Sequence, residues 1–328
     1  MKKATIKDVA ARAGVSISVV SYVLNKTEGK KISESTIKRV KQAADELHYV
    51  ASRFAGSMRT NKTNLIGVVM FWDIQSRVAM RLIRGINSGL LESGRHLVLL
   101  NVEDKDEFSY IKLFLDGSID AVIFVSPFSI KKIIDENEHI EKMKENNIPF
   151  VIVNGSSERE DVSYVNIDVK KTAYTAAKYL IDKKFKDIIY VAPKLRENKE
   201  YFLRCAGYEQ AADEAGICKR EVCLSEFELK KGQCILANKT DTAHEIYLMA
   251  DRLNLKPGID FSVAAANTDS YSAYMIPPLT RVDTPMEAIG KCAAQKIADI
   301  IDKKEENREV LGEYKLTEGK SVVLKESR

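Results

Sequence analysis

The stretch that decides the fold is TIKDVAARAGVSISVVSYVLN, Thr5 to Asn25. Thr5 followed three residues later by Asp8 is typical of a helix N-terminus, and apolar residues then recur with the spacing of one helix face. Gly14 ends this helix, because glycine tolerates the left-handed backbone of a tight turn. Ser16 can cap the helix that follows. The stretch therefore predicts two short helices joined by a tight turn.

A third helix is predicted from Ser33 to about Leu47, with an apolar stripe that can close a three-helix core. An ordinary helical bundle would show the same apolar stripes. The outward face of the second helix, however, is small, polar and aromatic and has no acidic residue, so it can enter a DNA major groove without repulsion. The inward positions are Ile6, Val9, Ala10, Ala13, Val20, Val23, Leu24, Ile37, Val40, Ala44 and Leu47.

Side chains on and beside the second helix are candidates for DNA contact. Ser16, Ser21 and Asn25 suit phosphate oxygens, which position a protein on the duplex. Ile17 could meet a thymine methyl group, and Tyr22 could exchange one hydrogen bond with a base edge. The DNA-binding residues predicted in this stretch are Thr5, Ser16, Ile17, Ser18, Ser21, Tyr22 and Asn25.

The net charge of +4 is unevenly divided along the chain. Residues 1–62 contain 13 of the 51 Lys and Arg residues but 5 of the 47 Asp and Glu residues, a balance of +8. The remaining 38 basic and 42 acidic residues give the rest of the chain a balance of −4. A basic end on a neutral-to-acidic body is the asymmetry expected of a nucleic-acid-binding module.

Composition and motifs argue against several other classes of protein. No apolar run reaches the roughly 18 residues of a membrane helix, and no apolar stretch follows the two N-terminal lysines as in a signal peptide. The five cysteines form no CxxC motif and are interpreted as reduced thiols. The four histidines lack metal spacing, and no GxSxG motif occurs. We therefore expect a cytoplasmic protein that is not an enzyme and has no cofactor, metal or membrane partner.

From Asn64 onward, apolar runs alternate with helical segments, which predicts a doubly wound α/β architecture of two lobes. Ligands of such folds bind at the carboxyl ends of the strands. No GxGxxG or GxxxxGK[ST] motif for nucleotide phosphates is present. The predicted strands cover residues 64–71, 96–102, 120–126, 149–155, 187–193 and 261–267.

Taken together, these segments resemble the lactose-repressor (LacI) family over essentially the whole chain. The first stretch is close to the family wording TIKDVAxxAGVSxxTVSRVLN, but Val19 stands where threonine is usual and Tyr22 where arginine is usual. RGINSGLLESGRHLVLLN (84–101), RCAGYEQAADEAGI (204–217) and PPLTRVDTPMEAIG (277–290) follow in family order. The departures leave the fold unaffected, but the operator sequence cannot be taken over from relatives.

The resemblance implies a fold and a domain organisation. The fold is an N-terminal three-helix helix-turn-helix domain, residues 1–50, followed by a hinge helix or linker, 51–62. The effector-binding and dimerisation domain, 63–328, resembles periplasmic sugar-binding proteins. Its chain is expected to cross three times between lobes, with lobe 1 at about 63–156 and 286–313 and lobe 2 at about 157–285 and 314–328.

The resemblance also gives residues 51–62 a role as a hinge helix that folds on DNA. Two such helices of a dimer would pair in the minor groove and wedge an apolar side chain between base steps. Met58 takes the place of the family leucine, while Arg53 and Arg59 would meet phosphates. The alternative is a disordered interdomain linker, since an isolated helix this short is marginal in water.

The effector pocket departs most from the family pattern. The family's usual Asn-Pro-Phe-Phe-like stretch is WDIQSRVAM (72–80) here, so Trp72 is a candidate for the missing stacking ring, although a lone Trp is more often core or interface filler. The set has lost the acidic partners for sugar hydroxyls that the family pattern provides, and Lys239 and Arg204 would favour an anion if both face the cleft. The predicted effector-binding residues are Trp72, Asn154, Arg204, Asn238 and Asn267.

Residues 228–233 are too few for the helix that the family places between two strands there, because a parallel crossover needs a dozen or more residues. We therefore expect the second lobe to lack one covering helix. The chain ends at KESR without heptads, which favours a dimer over a helix-tethered tetramer.

The leading hypothesis is a homodimeric transcriptional regulator, expected to be a repressor, that binds a pseudo-palindromic operator in double-stranded DNA. A sugar, sugar phosphate or other ring compound in the interlobe cleft would modulate it. Two alternatives are a regulator whose effector pocket has decayed and a solute-binding protein without gene-regulatory function. The second accounts for the body but leaves the basic head unexplained.

Overall fold

A computed structural model gives the structure of the chain over residues 4–24, 31–49, 62–71, 77–101, 107–126, 135–155, 159–193, 199–267, 270–303, 309–311 and 314–323. The chain divides into two compact units, residues 1–63 and 64–328. The hinge predicted over residues 51–62 lies outside the described residues except for Lys62. Within the described ranges, no helix combines the length and the apolar character needed to cross a membrane.

The first unit contains the three predicted helices, α1 (Ile6–Ala13), α2 (Ile17–Leu24) and α3 (Glu34–Glu46). Apolar residues spaced along one face of each helix pack together, as their periodicity indicated. The fully buried side chains of this core are Val9, Ala10, Ala13, Val20, Val23, Val40, Ala43 and Ala44.

Local sequence signals set the ends of these helices. The carboxylate of Asp8 accepts hydrogen bonds from the backbone N–H and the hydroxyl of Thr5, both at 2.7 Å. Gly14 adopts a φ of 64°, the left-handed backbone that lets α1 end and the chain turn sharply into α2. Ser33 caps α3 by accepting a hydrogen bond from the N–H of Thr36 at 3.3 Å. The predicted caps and turn are confirmed.

The second unit is built from strands and helices in alternation. Its described strands are β1 (Leu65–Met70), β2 (His96–Asn101), β3 (Ala121–Val125), β4 (Phe150–Val153), β5 (Tyr164–Ile167), β6 (Asp187–Ala192), β7 (Cys218–Cys223), β8 (Cys234–Ala237), β9 (Ser262–Ala265), β10 (Thr280–Asp283), β11 (Glu309–Leu311) and β12 (Lys315–Thr317). Its described α-helices are α4 (Arg77–Glu92), α5 (Ser109–Leu115), α6 (Glu136–Glu145), α7 (Val169–Asp182), α8 (Lys199–Ala215), α9 (Thr240–Arg252) and α10 (Met286–Ile301). The six strands predicted from apolar runs are confirmed as β1, β2, β3, β4, β6 and β9.

The strands form two six-stranded sheets, in the orders β11-β5-β4-β3-β1-β2 and β12-β10-β9-β8-β6-β7. All described pairs are parallel except β10 with β12. The strand order reverses between β1 and β3 in the first sheet and between β6 and β8 in the second. In an open α/β sheet, such a switch point leaves a crevice at the carboxyl ends of the strands.

The described strands pass from one sheet to the other three times, after β5, after β10 and after β11. One predicted boundary is wrong. We placed the end of lobe 1 near residue 156, but β5 (Tyr164–Ile167) pairs with β4 and belongs to the first sheet. The strand is short and only half-buried at its end, so its apolar signal is weak. The first crossing therefore comes at about Asp168, immediately before α7.

Helices cover both faces of the first sheet, as a parallel sheet requires. On one face α4 and α10 lie against each other and share a core with the strands. Glycines allow this close approach, because a Cβ at Gly290 would overlap the carbonyl oxygen of Leu82, and one at Gly85 would overlap that of Glu287. On the second sheet α7 and α8 form the equivalent pair, with Gly207 against the carbonyl of Lys170.

The other face of the second sheet is covered by α9 and by the chain between β7 and β8. That connection spans residues 224–233 and contains only a 3-10 turn, Leu224–Glu226. The expected loss of a covering helix is confirmed, yet ten residues do carry the chain past β6 in a parallel crossover. Phe227 and Leu229, 8% and 7% exposed, take the place of a helix by packing into the core beside α9.

On the face of the first sheet that α5 and α6 cover, three polar side chains are linked by hydrogen bonds within the apolar core. His139 on α6 is fully buried, with Nδ1 2.9 Å from the Tyr110 hydroxyl and Nε2 2.9 Å from a carboxylate oxygen of Glu107. Because an ionised carboxylate only accepts, Nε2 donates to Glu107 and the hydroxyl donates to Nδ1. Burial lowers the pKa of His139, although the hydrogen bond to Glu107 opposes this shift. The rings packed around the imidazole are Phe71, Phe108 and Phe124.

This buried imidazole predicts a pH-dependent stability. In the unfolded chain His139 takes up a proton as the pH falls through about 6.5, whereas in the fold it stays neutral to a lower pH. The free energy of unfolding should therefore be highest above pH 6.5 and decrease below it. The total decrease is about 1.4 kcal/mol for each unit by which the pKa of His139 in the fold lies below its pKa in the unfolded chain. Urea unfolding at pH 7.5 and 5.5 measures the loss.

His139→Gln, which retains one donor and one acceptor, should lose less stability between these two pH values than the wild type. His244→Gln removes an exposed histidine from the same unit and should behave as the wild type does. Equal pH dependence in the wild type and His139→Gln would contradict this account.

Candidate functional site

The outward face of α2 carries the predicted DNA-contacting side chains. Ile17 is 43% exposed. Ser21 and Tyr22 are partly exposed on the same face. Ser16, Ser18 and Thr5 are exposed, and the Ser16 hydroxyl oxygen lies 3.4 Å from the N–H of Val19 at the start of α2. The helix has no acidic residue, so nothing on this face would repel a phosphate.

An ion pair joins α1 and α3, the helices that precede and follow α2 in the chain. Arg12 near the end of α1 bonds the carboxylate of Glu46 at the end of α3, at 2.8 Å through Nε and 2.6 Å through Nη2. The hydrogen bond from Arg12 lowers the pKa of Glu46, with a second bond from Gln42 adding to the effect. The contact ties α1 to α3 while leaving the face of α2 open.

Several predicted site residues lie outside the described residues. These are Asn25, Arg53, Met58 and Arg59 among the DNA-binding set and Trp72 among the effector-binding set. The other predicted effector residues all lie at or near the carboxyl ends of strands. Asn154 follows β4 in the first sheet, while Asn238, Asn267 and Arg204 gather around the end of the second.

Asn238 lies at the switch point of the second sheet, directly after β8. It is fully buried, and its backbone N–H donates to the carbonyl of Val191 on β6 at 2.9 Å. The side-chain oxygen accepts from the Thr242 hydroxyl at 2.7 Å. Its Nδ2 has no hydrogen-bond partner among the described residues. A buried amide that lacks a partner costs free energy unless a ligand or water supplies one.

Arg204 on α8 is 3% exposed and lies beside the ends of the same strands. Its Nη1 donates to the Thr172 hydroxyl oxygen and to the carbonyl of Ala266, both at 3.1 Å. Its Nε and Nη2 donate to one carboxylate oxygen of Glu200 at 3.3 and 2.9 Å. Protein atoms thus accept four hydrogen bonds from this guanidinium, out of the five it can donate.

Glu200 bridges Arg204 to the second cation of the site. Its other carboxylate oxygen lies 3.0 Å from Nζ of Lys239, which also lies over the Tyr201 ring. Burial on its own would raise the pKa of Glu200, but the adjoining charges of Lys239 and Arg204 outweigh it and hold that pKa below its ordinary value. Both cations that we expected to attract an anion are therefore already paired with a carboxylate of the protein.

Asn267 links the ends of β9 and β10. Its side-chain oxygen accepts from the Thr284 hydroxyl at 3.1 Å, and its carbonyl accepts from the Thr240 hydroxyl at 2.9 Å. Thr240 is the first residue of α9, so these bonds join three segments at one edge of the sheet. Asn267 is partly exposed there and belongs to the same polar cluster as Asn238.

On the first sheet, Asn154 follows β4 with a φ of 58° and is 8% exposed. Its backbone N–H donates to the carbonyl of Val165 at 3.1 Å. Neither atom of its side-chain amide has a hydrogen-bond partner among the described residues. Each lobe therefore offers a buried amide with unused hydrogen-bonding capacity at the carboxyl edge of its sheet.

Sequence reasoning missed Glu200, and with it the main electrostatic feature of the site. We expected the pocket to have lost its acidic partners, and this was wrong, because Glu200 supplies a buried carboxylate. The available signal was the spacing of Glu200 and Arg204, four residues apart on a helix, which places opposite charges side by side. The described residues contain no cluster of His, Cys, Asp and Glu suited to a metal ion.

Comparison with known protein families identifies both units. Residues 5–52 match the family described as bacterial regulatory proteins, lacI family. Residues 177–322 match the periplasmic binding protein-like domain. The first match covers all three helices of the basic unit, and the second covers most of the second sheet.

Relatives that match this chain over nearly its whole length support the same family assignment. The HTH-type transcriptional repressor PurR of Erwinia tasmaniensis is 30% identical over 342 residues, which cover 97% of this chain and 97% of that protein. PurR of Vibrio campbellii is 28% identical over 327 residues, covering 94% of this chain and 95% of that protein.

Solved structures share the fold. The lac repressor dimer bound to operator and the anti-inducer ONPF has a TM-score of 0.79 at 19% identity, covering 98% of this chain and 100% of that one. A complex of the transcriptional regulator CelR with cellobiose has a TM-score of 0.66 at 22% identity, covering 97% and 99%. With a relative of 30% identity along 97% of its length, this chain belongs to the lacI family of bacterial regulatory proteins and is a DNA-binding transcriptional repressor with an effector-binding domain, not an enzyme.

Proposed function

We propose that the protein acts in the cytoplasm as a homodimer that binds a pseudo-palindromic operator, and that a small molecule at the carboxyl edges of its two sheets modulates this binding. The observation that carries the proposal is the exposed face of α2, which is free of acidic residues and includes Ile17, Ser18 and Tyr22. A dimer presents two such faces related by symmetry, so its operator has two related half-sites.

The base contacts follow from the chemistry of this face. Ile17 offers an apolar surface to a thymine methyl, and Tyr22 offers one hydroxyl to a base edge. Neither provides the bidentate arginine–guanine contact, worth about 1–3 kcal/mol, so sequence discrimination at these positions is expected to be modest. Phosphate contacts from the serines and from the basic residues of the first unit then supply much of the affinity.

The effector proposal rests on the buried amides. Asn154 belongs to the first sheet and Asn238 to the second, and each has a side-chain nitrogen without a partner among the described residues. A ligand that bonds both would favour one arrangement of the lobes over others, because a ligand shifts an equilibrium by its differential affinity for the states. Such a shift at the lobes would alter the spacing of the two DNA-binding units of a dimer.

The alternative is a repressor whose effector pocket has decayed. The saturated contacts of Arg204 are compatible with it, whereas the orphaned amides argue for a ligand. CelR in the structure above binds cellobiose, and a sugar or another ring compound with hydrogen-bonding groups is a reasonable candidate class. Thermal-shift screening of sugars, sugar phosphates and nucleobases tests it, since a ligand bound only by the folded state raises its melting point.

DNA binding is tested with promoter fragments from the protein's own locus at increasing salt. The affinity should fall steeply, because each phosphate contact releases counterions and contributes about −0.9 to the slope of log K against log salt. Ser18→Glu places a negative charge on the proposed reading face and should weaken operator binding about tenfold or more.

The matched control is Ser35→Glu, which makes the same substitution at an exposed position in the first turn of α3. It should weaken binding much less than Ser18→Glu. A flat salt dependence, or equal losses in the two variants, would refute the assignment of α2 as the reading helix.

The segment before the second unit is proposed to act as a minor-groove wedge, with Met58 as the inserted side chain and Arg53 and Arg59 on phosphates. Met58→Gly should lower operator affinity about tenfold or more, because the kinked DNA loses the side chain that unstacks its bases. The melting temperature of the second unit should not change. Electrophoretic mobility and DNA-bending assays measure the effect.

Two variants separate the wedge from simple chain flexibility. Met58→Leu keeps a long apolar side chain and should keep the affinity. Thr60→Gly adds a similar backbone entropy to the same segment and should cost less than Met58→Gly. If Met58→Gly binds and bends the operator like the wild type, the segment is a linker and not a wedge.

Exposed apolar side chains on the second lobe support dimerisation there. Two turns, around residues 259 and 276, both contact the chain at Lys320. Gly258 packs against the carbonyl of Lys320. The N–H of Lys320 donates to the carbonyl of Pro278 at 2.7 Å. Exposed apolar side chains that group together mark an interface, whereas single exposed residues are ordinary. The side chains are Ile259, Tyr274 and Ile276, at 70%, 79% and 89% exposure.

Ile276→Asp should therefore convert the dimer to monomer at micromolar concentration, because burying an unpaired charge at an interface is costly. Sedimentation velocity reports the change in mass, and operator affinity should fall with it. Leu115→Asp, at a single exposed apolar residue of the first lobe, should remain dimeric. A dimeric Ile276→Asp would locate the interface elsewhere.

A further inference from the structure

We propose that Glu200 is an internal counter-anion that prevents Arg204 and Lys239 from binding an anionic effector, so that the effector of this protein is an uncharged molecule bearing hydrogen-bond acceptors. The inference deepens the proposed effector site and rests on it. It assigns to Glu200 a role in ligand selection, apart from any direct contact with the ligand.

First, most N–H groups of the Arg204 guanidinium are already hydrogen-bonded within the protein. Arg204 donates four hydrogen bonds within the protein, two of them to one oxygen of Glu200. A carboxylate or phosphate usually binds arginine through two parallel hydrogen bonds. With Glu200 in place, one N–H at most is available, so the bidentate contact that makes arginine a good anion site cannot form.

The second step is the cost of displacing Glu200. Its side chain is 6% exposed, and its two oxygens are divided between Arg204 and Lys239, at 2.9 and 3.0 Å. An anion that took over both cations would leave this carboxylate buried without a partner. Losing one partner of a buried ion pair is strongly destabilising, because it leaves an uncompensated buried charge, whereas a surface ion contact contributes little. The site therefore discriminates against negatively charged ligands.

Third, one buried hydrogen-bond donor of the site is still available to a ligand. Asn238 follows the same strand that leads to Lys239, and its fully buried Nδ2 has no partner among the described residues. An amide nitrogen donates, so it calls for a carbonyl or hydroxyl oxygen on the ligand. An uncharged ligand can satisfy it without disturbing the bonds of Glu200. The ion pairs and the orphaned donor thus favour the same class of ligand.

The test uses the full-length protein and inorganic phosphate as the probe, with calorimetric titration at constant ionic strength. Wild-type protein should show no phosphate binding beyond that of the DNA-binding unit. Glu200→Gln keeps the shape of the side chain but removes the negative charge that neutralises both cations, and it should bind phosphate about tenfold more tightly or better, the gain expected from one charge-assisted hydrogen bond.

Glu245→Gln is the matched control, because it removes one exposed carboxylate from α9 of the same lobe and changes the net charge equally. It should bind phosphate as the wild type does. Equal phosphate affinity in Glu200→Gln and Glu245→Gln would overturn the proposal.

A variant that fails to fold does not end the test. Circular dichroism identifies that outcome, and the comparison then moves to the wild type and Arg204→Gln. The proposal requires these two proteins to bind phosphate equally. Weaker binding by Arg204→Gln would mean that Arg204 takes anions with Glu200 in place, and would overturn it.

Operator binding is measured on the same preparations, so that two kinds of failure can be told apart. If the wild type binds operator and the phosphate affinities are equal, the selection role of Glu200 is wrong and the repressor function stands. If phosphate affinities differ as expected but no operator is bound, the proposed operator function is wrong and the selection role stands.

Discussion

Both lobes of the second unit depend on covering two faces of a parallel sheet, since its strands have no side that can meet water. Paired helices meet this need on one face of each sheet, and glycines such as Gly85 and Gly290 let their backbones approach. On the second sheet, Phe227 and Leu229 complete the cover where a helix is missing. What remains open in each sheet is the carboxyl edge, and the buried polar groups of the candidate site, Asn154, Asn238, Arg204 and Glu200, lie there.

At that edge, satisfied and unsatisfied groups have different meanings. Arg204, Glu200 and Lys239 form a closed set in which each charge has its partner. The amides of Asn154 and Asn238 are buried but incompletely bonded. In the effector site that we propose, the closed set would provide selectivity and the open amides would provide affinity. A binding site with unpaired charges would bind more classes of ligand and would discriminate less between them.

Much of the fold follows from short-range patterns in the sequence. The three helices of the first unit were predictable because Asp8, Gly14 and Ser33 mark their ends, and six strands because buried parallel strands are continuous apolar runs. The remaining strands are short, polar or at sheet edges, as with β7 (Cys218–Cys223), so their pattern is weak. At the site, family position located Asn238 and Arg204, but no pattern foretold their bonding, because hydrogen-bond partners come from segments distant in the chain.

The strand β7 lies at the border of its sheet, paired on one side with β6 among the described strands. Bare borders of this kind can recruit strands from other molecules and seed aggregation. Here the strand carries charges: Lys219 reaches Asp213 at 3.0 Å, and Arg220 lies 3.8 Å from Asp187. An incoming strand would have to strip water from these groups before it could pair. These charges thus oppose edge-to-edge pairing of β7 between molecules, and charge-neutralising changes along Lys219 to Glu221 would put solubility at risk.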